Sequence, residues 1–368
     1  MTELKSWAVV TAFCAQYLLS RARLAKRPNV DGILEEVHTV FRRALKWRQR
    51  LVVKGADHCV KHGAAVFFSN HLSTSDPFYL YGTISAAKGK APRVSAMMRD
   101  DFFDALPLGL DRALDLNGFL ECIGVFTIAR EKVQLSQLKP FLRYLDESAL
   151  MMMYPSGTRS RSGALVEYRS LDQEPGGISF FIHQTQRRHP DWNVPAIPVT
   201  RTLNPVTRQS TMVFGPPLYI EHGAGRDERR SFDGRAICAL APLVDLNVPI
   251  ILGALLYLRC LHQRDDAIAE ERLYAVVEEI MTETSHAYVN AADLEDIPKA
   301  VDRALAYPAA GGMLECRGGQ VRPASERVLS SPKLDSKYRR RNPVKHLANQ
   351  ILHLPEVVGR VETSALEL

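Results

Sequence analysis

Between residues 64 and 200, short apolar segments alternate with longer segments of helical pattern, and this alternation limits the possible folds most strongly. The predicted strands are residues 64–68, 93–98, 124–128, 149–154 and 194–200. The predicted helices are residues 76–88, 100–106, 110–121, 132–147 and 177–188. The pattern is typical of an α/β fold, here a mixed sheet flanked by helices, in which ligand sites lie beyond the strand ends.

The segment after the first predicted strand carries His71 and Asp76, five residues apart. On one continuous helix this separation is about 140° of rotation, so the two side chains would not meet. Across a strand-to-helix turn, with Asp76 and Pro77 beginning the helix, they can meet. The carboxylate would then fix the tautomer of the imidazole and leave its second nitrogen as a base. A turn histidine beside a helix cap is the alternative interpretation.

Basic side chains follow two other predicted strands. Arg130 comes soon after the third strand, and the fourth strand leads into residues 155–163, which contain Arg159 and Arg161. Guanidinium groups bind phosphate bidentately, and a glycine such as Gly157 lets backbone N–H groups approach it. The three arginines could therefore neutralise a phosphomonoester dianion. A solvated surface loop is the alternative interpretation of the same residues.

Positive charge is concentrated towards both ends of the chain. Residues 1–54 contain eleven Lys and Arg against four Asp and Glu, and residues 316–346 contain nine against two. Since the formal net charge is only +6, the rest of the chain is acidic. Basic ends on an acidic body indicate a polyanionic partner. No nucleic-acid-reading motif is present, so an anionic membrane surface is preferred over nucleic acid.

The chain is predicted to have three regions. These are a basic amphipathic helical hairpin (residues 1–53), an α/β domain (54–306) with an apolar insertion at about 236–258, and a loosely ordered basic tail (307–368). The apolar part of the first helix, Trp7 to Leu19, is too short to span a bilayer. The hairpin is therefore expected to lie in the membrane interface, or else to pack as a small helical domain on the core.

The apolar insertion contains two prolines and Asp245, which argue against a single spanning helix. A pair of short helices, buried or dipping into a membrane, fits this composition better. The six cysteines are scattered, and none forms a Cys-x-x-Cys pair or a zinc-like spacing with histidine. A reducing compartment without a signal peptide, and no bound metal, is the resulting expectation.

Four segments in this order resemble the motifs of the glycerolipid acyltransferase family, which includes glycerol-3-phosphate and 1-acylglycerol-3-phosphate acyltransferases. The first motif, Asn-His-x4-Asp, matches Asn70, His71 and Asp76. The second, third and fourth match residues 124–130, 154–160 and 194–200, and the whole resemblance covers about 54–220. The usual third-motif glutamate is Ser156, and Ala129 precedes the second-motif arginine; both departures leave the acceptor open.

The resemblance implies an O-acyltransferase of phospholipid synthesis. His71 would be the base and Asp76 its orienting acid, and the residues implied to bind the acceptor phosphate are Arg130, Gly157, Thr158, Arg159 and Arg161. The donor would be acyl-CoA or acyl-carrier protein, and the acceptor 1-acylglycerol 3-phosphate or glycerol 3-phosphate, with no cofactor. The protein would be membrane-associated on the cytoplasmic face, in an oligomeric state that the sequence leaves open.

Two other functions fit the same resemblance. One is acyl transfer to a different acceptor, either another lysolipid or an acyl-amino lipid, because Ser156 replaces the usual glutamate. The other is a non-catalytic lipid-binding protein on the same fold. The presence of His71, Asp76, Gly157 and Arg159 favours an enzyme over a binding protein.

Overall fold

The computed structural model describes residues 2–23, 25, 26, 28, 35–37, 39, 40, 50–60, 62–88, 92–99, 115–129, 134–167 and 177–368. Some of the predictions lie outside these ranges. They are Arg130, the helix at 100–106, and most of the second helix of the N-terminal hairpin.

Helices and strands of the first 238 residues mostly alternate, as the sequence pattern predicts. The strands are β1 (Arg50–Lys54), β2 (Ala65–Ser69), β3 (Val94–Arg99), β4 (Val125–Ile128), β5 (Leu150–Met153), β6 (Ala196–Leu203) and β7 (Gln209–Phe214). The helices are α1 (Thr2–Arg21), α2 (Asp76–Lys88), α3 (Leu116–Cys122), α4 (Leu135–Asp146), α5 (Ile178–Arg188) and α6 (Arg226–Cys238).

The seven strands form one mixed sheet in the order β1-β7-β6-β2-β5-β3-β4. All neighbouring strands are parallel except the antiparallel pair β6–β7. The five strands from β6 to β4 therefore end at one common edge, where loops that carry polar side chains meet. The prediction of a mixed sheet flanked by helices is confirmed.

Helices cover both faces of the sheet. All five residues of β2 are buried: Val66 and Phe68 pack under α4, α5 and α6, while Ala65 and Phe67 pack under α2. Because side chains alternate across a strand, a strand buried on both faces is a continuous apolar run. This is why the central strand is recognisable in the sequence.

A C-terminal module, residues 244–368, has its own hydrophobic core. Its helices are α7 (Val248–Leu261), α8 (Glu270–Glu283), α9 (Ala291–Leu294), α10 (Ile297–Ala310), α11 (Ser325–Leu329), α12 (Tyr338–Arg341), α13 (Pro343–Ala348) and α14 (Pro355–Glu367). Its strands β8 (Ile268–Ala269), β9 (Leu314–Arg317) and β10 (Gln320–Pro323) form a small antiparallel sheet. The prediction of a loosely ordered tail from residue 307 therefore disagrees with the structure.

Helix α7 is the centre of this module, and all but two of its fourteen residues are buried. A helix that is apolar on every side must be buried by its neighbours. The other helices of the module supply that cover, so the apolar insertion at 236–258 is a core element. Pro249 lies in its first turn, where a proline costs no backbone hydrogen bond, and Asn247 caps it by accepting from Ile250 N.

A buried carboxylate joins the C-terminal module to the edge of the large sheet. Asp245 Oδ1 accepts from Lys54 Nζ at 2.5 Å, and its Oδ2 accepts from Thr211 Oγ1 at 2.8 Å and Asn290 Nδ2 at 2.9 Å. Lys54 and Thr211 belong to the adjacent strands β1 and β7. The residues 50–54 are thus part of the sheet, which corrects the prediction that the helical hairpin extends to residue 53.

Helix α1 packs on α3 through Phe13 and Tyr17, and the Tyr17 hydroxyl donates to the backbone carbonyl of Asp115 at 2.7 Å. Trp7, Leu18 and Leu19 of the same helix are exposed. No helix in the described ranges has both the length and the apolar character required to cross a bilayer.

The close packing of α7 on α13 predicts the effect of adding one methyl group. A Cβ at Gly253 would lie 2.5 Å from Leu347 Cβ, so Gly253→Ala should lower the free energy of unfolding by roughly 1 kcal/mol. Alanine's higher helix propensity offsets only part of the overpacking. Gly359→Ala in α14 is the matched control, because nothing lies within 4 Å of its Cβ, and we expect it to stabilise. Urea denaturation measures both, and equal stabilisation would contradict this account of the packing.

Candidate active site

The turn between β2 and α2 brings the two residues of the first motif together. His71 Nδ1 lies 2.8 Å from Asp76 Oδ2, and the imidazole ring stacks on the ring of Tyr154 at 4.3 Å between centroids. Because a carboxylate accepts a hydrogen bond, Nδ1 carries the proton and Nε2 is the basic nitrogen. The His71 side chain is 18 % exposed to solvent, so a substrate can reach it.

Asp76 is the first residue of α2, and only 1 % of it is exposed. Besides His71, its oxygens accept from Leu72 N at 2.5 Å, Ser73 N at 2.8 Å and Ser73 Oγ at 2.7 Å. Burial raises the pKa of Asp76, but the hydrogen bond from His71 and the charge of Arg201 outweigh it, so the pKa is lowered overall. The carboxylate is therefore ionised at neutral pH.

Arg201 of β6 is the principal residue that the sequence analysis missed. Its Nη1 donates to Asp76 Oδ1 and, at 2.8 Å, to Ser73 Oγ, while its Nε donates to Ser210 Oγ at 2.7 Å. The guanidinium also lies over the ring of Tyr79, 4.1 Å from its centroid. The one signal in the sequence is a charged residue directly after the apolar segment 194–200.

Asn70, the residue before His71, holds the first turn against β6. Its Oδ1 accepts from Arg201 N at 2.8 Å, and its Nδ2 donates to Arg201 O at 2.9 Å. This pair of hydrogen bonds continues the β2–β6 pairing beyond the end of β2. The asparagine of the motif is therefore a backbone anchor for the turn.

Residues 155–163, which we call the arginine loop, begin where β5 ends. Ser160 N donates to His71 O at 2.6 Å, so the loop is fixed directly to the histidine. Gly157 has a positive φ of 59° and is exposed, and nothing lies within 4 Å of where its Cβ would be. Thr158 is buried, and Ser156 Oγ donates to the Thr158 carbonyl at 2.7 Å. Hydrogen bonds thus hold the loop in place, while Gly157 remains exposed at its surface.

Positive charge converges at this edge of the sheet. Burial lowers the pKa of the half-buried Arg159 guanidinium, and the charges of Arg161 and Arg99 lower it further. Arg99 is the last residue of β3 and was not singled out from the sequence. The hydrogen bond from Ser160 N to His71 O at 2.6 Å places the arginine loop beside the His71–Asp76 pair. Arg130 is outside the described residues.

An apolar pocket, with about 630 Å³ of empty space that includes open solvent at its mouth, begins at the first turn of α2. Pro77, Phe78 and Tyr81 line it on the helix side, and Val94 and Met152 line it on the sheet side. Among the described residues, no cluster of histidine, cysteine or acidic side chains has the arrangement of a metal site.

The pairing of Asp76 with Arg201 predicts the response of the protein to acid. Arg201→Met removes the only guanidinium that we find bound to this buried carboxylate within the described residues, and it should destabilise the fold by about 3–5 kcal/mol at neutral pH. A folded-state pKa below the unfolded value contributes stability that is lost as the pH falls through the folded pKa. Since the substitution raises that pKa, acid unfolding should begin at a higher pH. Circular dichroism against pH measures the midpoint, and an unchanged midpoint would contradict the assignment.

The double variant Asp76→Asn/Arg201→Met is the control for this experiment. It removes both charges, so part of the stability lost in Arg201→Met should return. If the double variant is as unstable as the sum of its single changes, the two side chains do not interact energetically.

Comparison with known proteins identifies the central part of the chain. Residues 50–200 match the family model described as Acyltransferase. The crystal structure of the 1-acyl-sn-glycerophosphate (LPA) acyltransferase PlsC from Thermotoga maritima is similar at 16% identity and a TM-score of 0.39, over 64% of this chain and 93% of that chain. No curated protein matches the chain.

The match to the family model covers the part of the chain that carries the candidate active site. The matched residues include β1 to β5, the turn of His71 and Asp76, the arginine loop and most of β6. The resemblance found in the sequence is thus confirmed by the acyltransferase family model, which matches residues 50–200 of this chain.

Proposed function

We propose that this chain transfers a fatty acyl group from acyl-CoA or acyl-carrier protein to a hydroxyl of 1-acylglycerol 3-phosphate or glycerol 3-phosphate. The observation that carries the proposal is the 2.8 Å contact of His71 Nδ1 with Asp76 Oδ2 beside the arginine loop. A base for a hydroxyl and cations for a phosphate are then combined at one edge of the sheet.

In the proposed reaction, His71 Nε2 takes the proton of the acceptor hydroxyl while the oxygen attacks the thioester carbonyl carbon. The tetrahedral intermediate expels the thiolate of the donor, which takes that proton from the imidazolium. A C–S bond is thereby replaced by a C–O bond, and one proton moves from the hydroxyl to the thiol. A positioned base of this kind contributes about 10²–10⁴-fold to the rate.

Asp76 and Arg201 support the base in different ways. Asp76 holds Nδ1 and stabilises the imidazolium that forms during the attack. Arg201 does not contact His71 in any hydrogen bond that we identify among the described residues, and it acts by keeping Asp76 ionised and oriented. It is therefore a positioning residue in this proposal.

The arginine loop is proposed to bind the phosphate of the acceptor. The charges of Arg161 and Arg99 repel the guanidinium of Arg159, and a bound dianion would relieve this repulsion. The space beside the exposed Gly157 is empty within 4 Å of its Cβ position, so no side chain blocks access to the loop there, and Thr158 follows it in the same turn. Arg130 remains a predicted phosphate ligand on sequence grounds. Holding the phosphate orients the hydroxyl towards His71, and such orientation supplies a large part of an enzymatic rate.

The acyl chain of the donor is proposed to occupy the apolar pocket beside α2. Pro77, which directly follows Asp76 in α2, is one of the residues that line the pocket. Contact with an anionic membrane at the cytoplasmic face is proposed through α1, where Trp7, Leu18 and Leu19 are exposed near basic residues. Such contact would deliver lipid substrates to the pocket.

The His71→Ala variant tests the base directly. Acyl transfer should fall by at least roughly 10²-fold, with kcat and kcat/KM reduced together, because the base acts in the transition state. His262→Ala is the matched control, since that histidine pairs with Glu362 at 2.7 Å in the C-terminal module. A folded His71→Ala variant with unchanged kcat would rule out the mechanism.

The Arg159→Ala variant tests the phosphate assignment. Loss of a hydrogen bond to a charged group, about 1.5–3 kcal/mol, corresponds to a roughly 10- to 100-fold rise in the KM of the acceptor. The KM of the acyl donor should change little, and the exposed Arg317→Ala variant should change neither. Equal increases for donor and acceptor, or full activity on lysolipids without a phosphomonoester, would favour a different acceptor.

A further inference from the structure

The arginine loop contacts the C-terminal module, which lies beyond the residues matched by the family model. Asn349, at the end of α13, donates from Nδ2 to Ser162 O at 2.9 Å. The backbone N–H of Asn349 donates to Lys345 O at 3.0 Å at the end of α13. The loop is therefore held by a residue whose backbone is itself fixed within the module.

At Gly163, the backbone of the arginine loop lies so close to α13 that there is no space for a side chain. Gly163 has a φ of 95°, and a Cβ at this position would lie 2.0 Å from His346 O and 2.3 Å from His346 Nδ1. Burial lowers the pKa of His346 to about 3, so its ring is neutral against the loop. Leu165, two residues further, packs on the hydrophobic core of the module.

Consecutive hydrogen bonds along the arginine loop connect its contact with α13 to the candidate active site. Glu167 Oε2 accepts from Arg161 N and Ser162 N, both at 2.9 Å, and from Ser162 Oγ at 2.7 Å. Ser160 N then donates to His71 O at 2.6 Å. Between α13 and the histidine, each successive residue of the loop is thus fixed by a hydrogen bond or by close packing.

Helix α13 is itself well anchored. Asn342 caps it by accepting from Lys345 N at 2.9 Å and donates to the backbone carbonyls of Val328 at 2.8 Å and Ser330 at 3.0 Å. Leu347 packs against Gly253 of the central helix α7. A rigid helix is a suitable support for a loop that must hold two guanidinium groups in place.

We propose that the C-terminal module is part of the acceptor site, and that Asn349 is a positioning residue which holds the arginine loop so that Arg159 and Arg161 meet the phosphate. This inference rests on the proposed function, because it assigns the role of the module through the phosphate-binding loop. An isolated domain of residues 50–200 would contain the reacting residues but lack the support behind the loop.

The test compares Asn349→Ala and the isosteric Asn349→Asp with Asn290→Ala in the full chain. Neither change at 349 leaves an N–H donor for Ser162 O, so both should raise the KM of the acceptor roughly 3- to 10-fold. Their kcat and the KM of the acyl donor should stay within about twofold. Asn290 is the control, because it belongs to the same module but binds Asp245. Asn290→Ala should lower the Tm without changing the KM of the acceptor.

Hydrogen–deuterium exchange of the peptide covering 156–164 gives a readout that does not require turnover. Exchange should be faster in both Asn349 variants and unchanged in Asn290→Ala. If Asn290→Ala raises the KM and the exchange as much as Asn349→Ala, or if the Asn349 variants alter neither quantity, the positioning role is wrong. If the wild-type protein transfers no acyl group to phosphorylated acceptors, the proposed function fails. The exchange result then still decides whether Asn349 holds the loop.

Discussion

The candidate active site depends on the hydrogen bonds and the ion pair that the buried carboxylate of Asp76 accepts. Removing a charged carboxylate from water is costly, and here donors from the turn, from His71 and from Arg201 compensate for the loss of hydration. The donors of the turn and His71 lie within five residues of Asp76, whereas Arg201 is 125 residues away in sequence. The geometry of the base therefore depends on correct assembly of β2, α2 and β6, and cannot form in the turn alone.

Local patterns in the sequence predict the central strands and allow a contact between His71 and Asp76, which the resemblance to the family motifs then favours. A continuous apolar run indicates a strand buried on both faces, and the five-residue separation requires a turn if the two side chains are to meet. Arg201 could not be assigned in this way. A charged residue at the end of an apolar strand has meaning only once its partner is known, and Asp76 is 125 residues away.

Composition was a poor guide to the C-terminal module. The region after residue 307 is rich in glycine, proline, serine and arginine, which favours disorder when it is considered locally. Its apolar residues Val344, Leu347, Val357 and Val361 nevertheless recur at helical spacing, and α7 provides the surface on which they are buried. The order of this region thus results from tertiary packing, which cannot be read from the local composition.

Helix α2 has two tasks, because its first residue orients the imidazole and its next turn lines the apolar pocket. A change in the pocket that moves this helix must also move the Asp76 carboxylate. The opposite wall, with Val94 and Met152, belongs to strands that do not carry the base. Under the proposed function, divergence in the length of the hydrocarbon chain should therefore accumulate on the strand wall, where side chains can change size without moving Asp76.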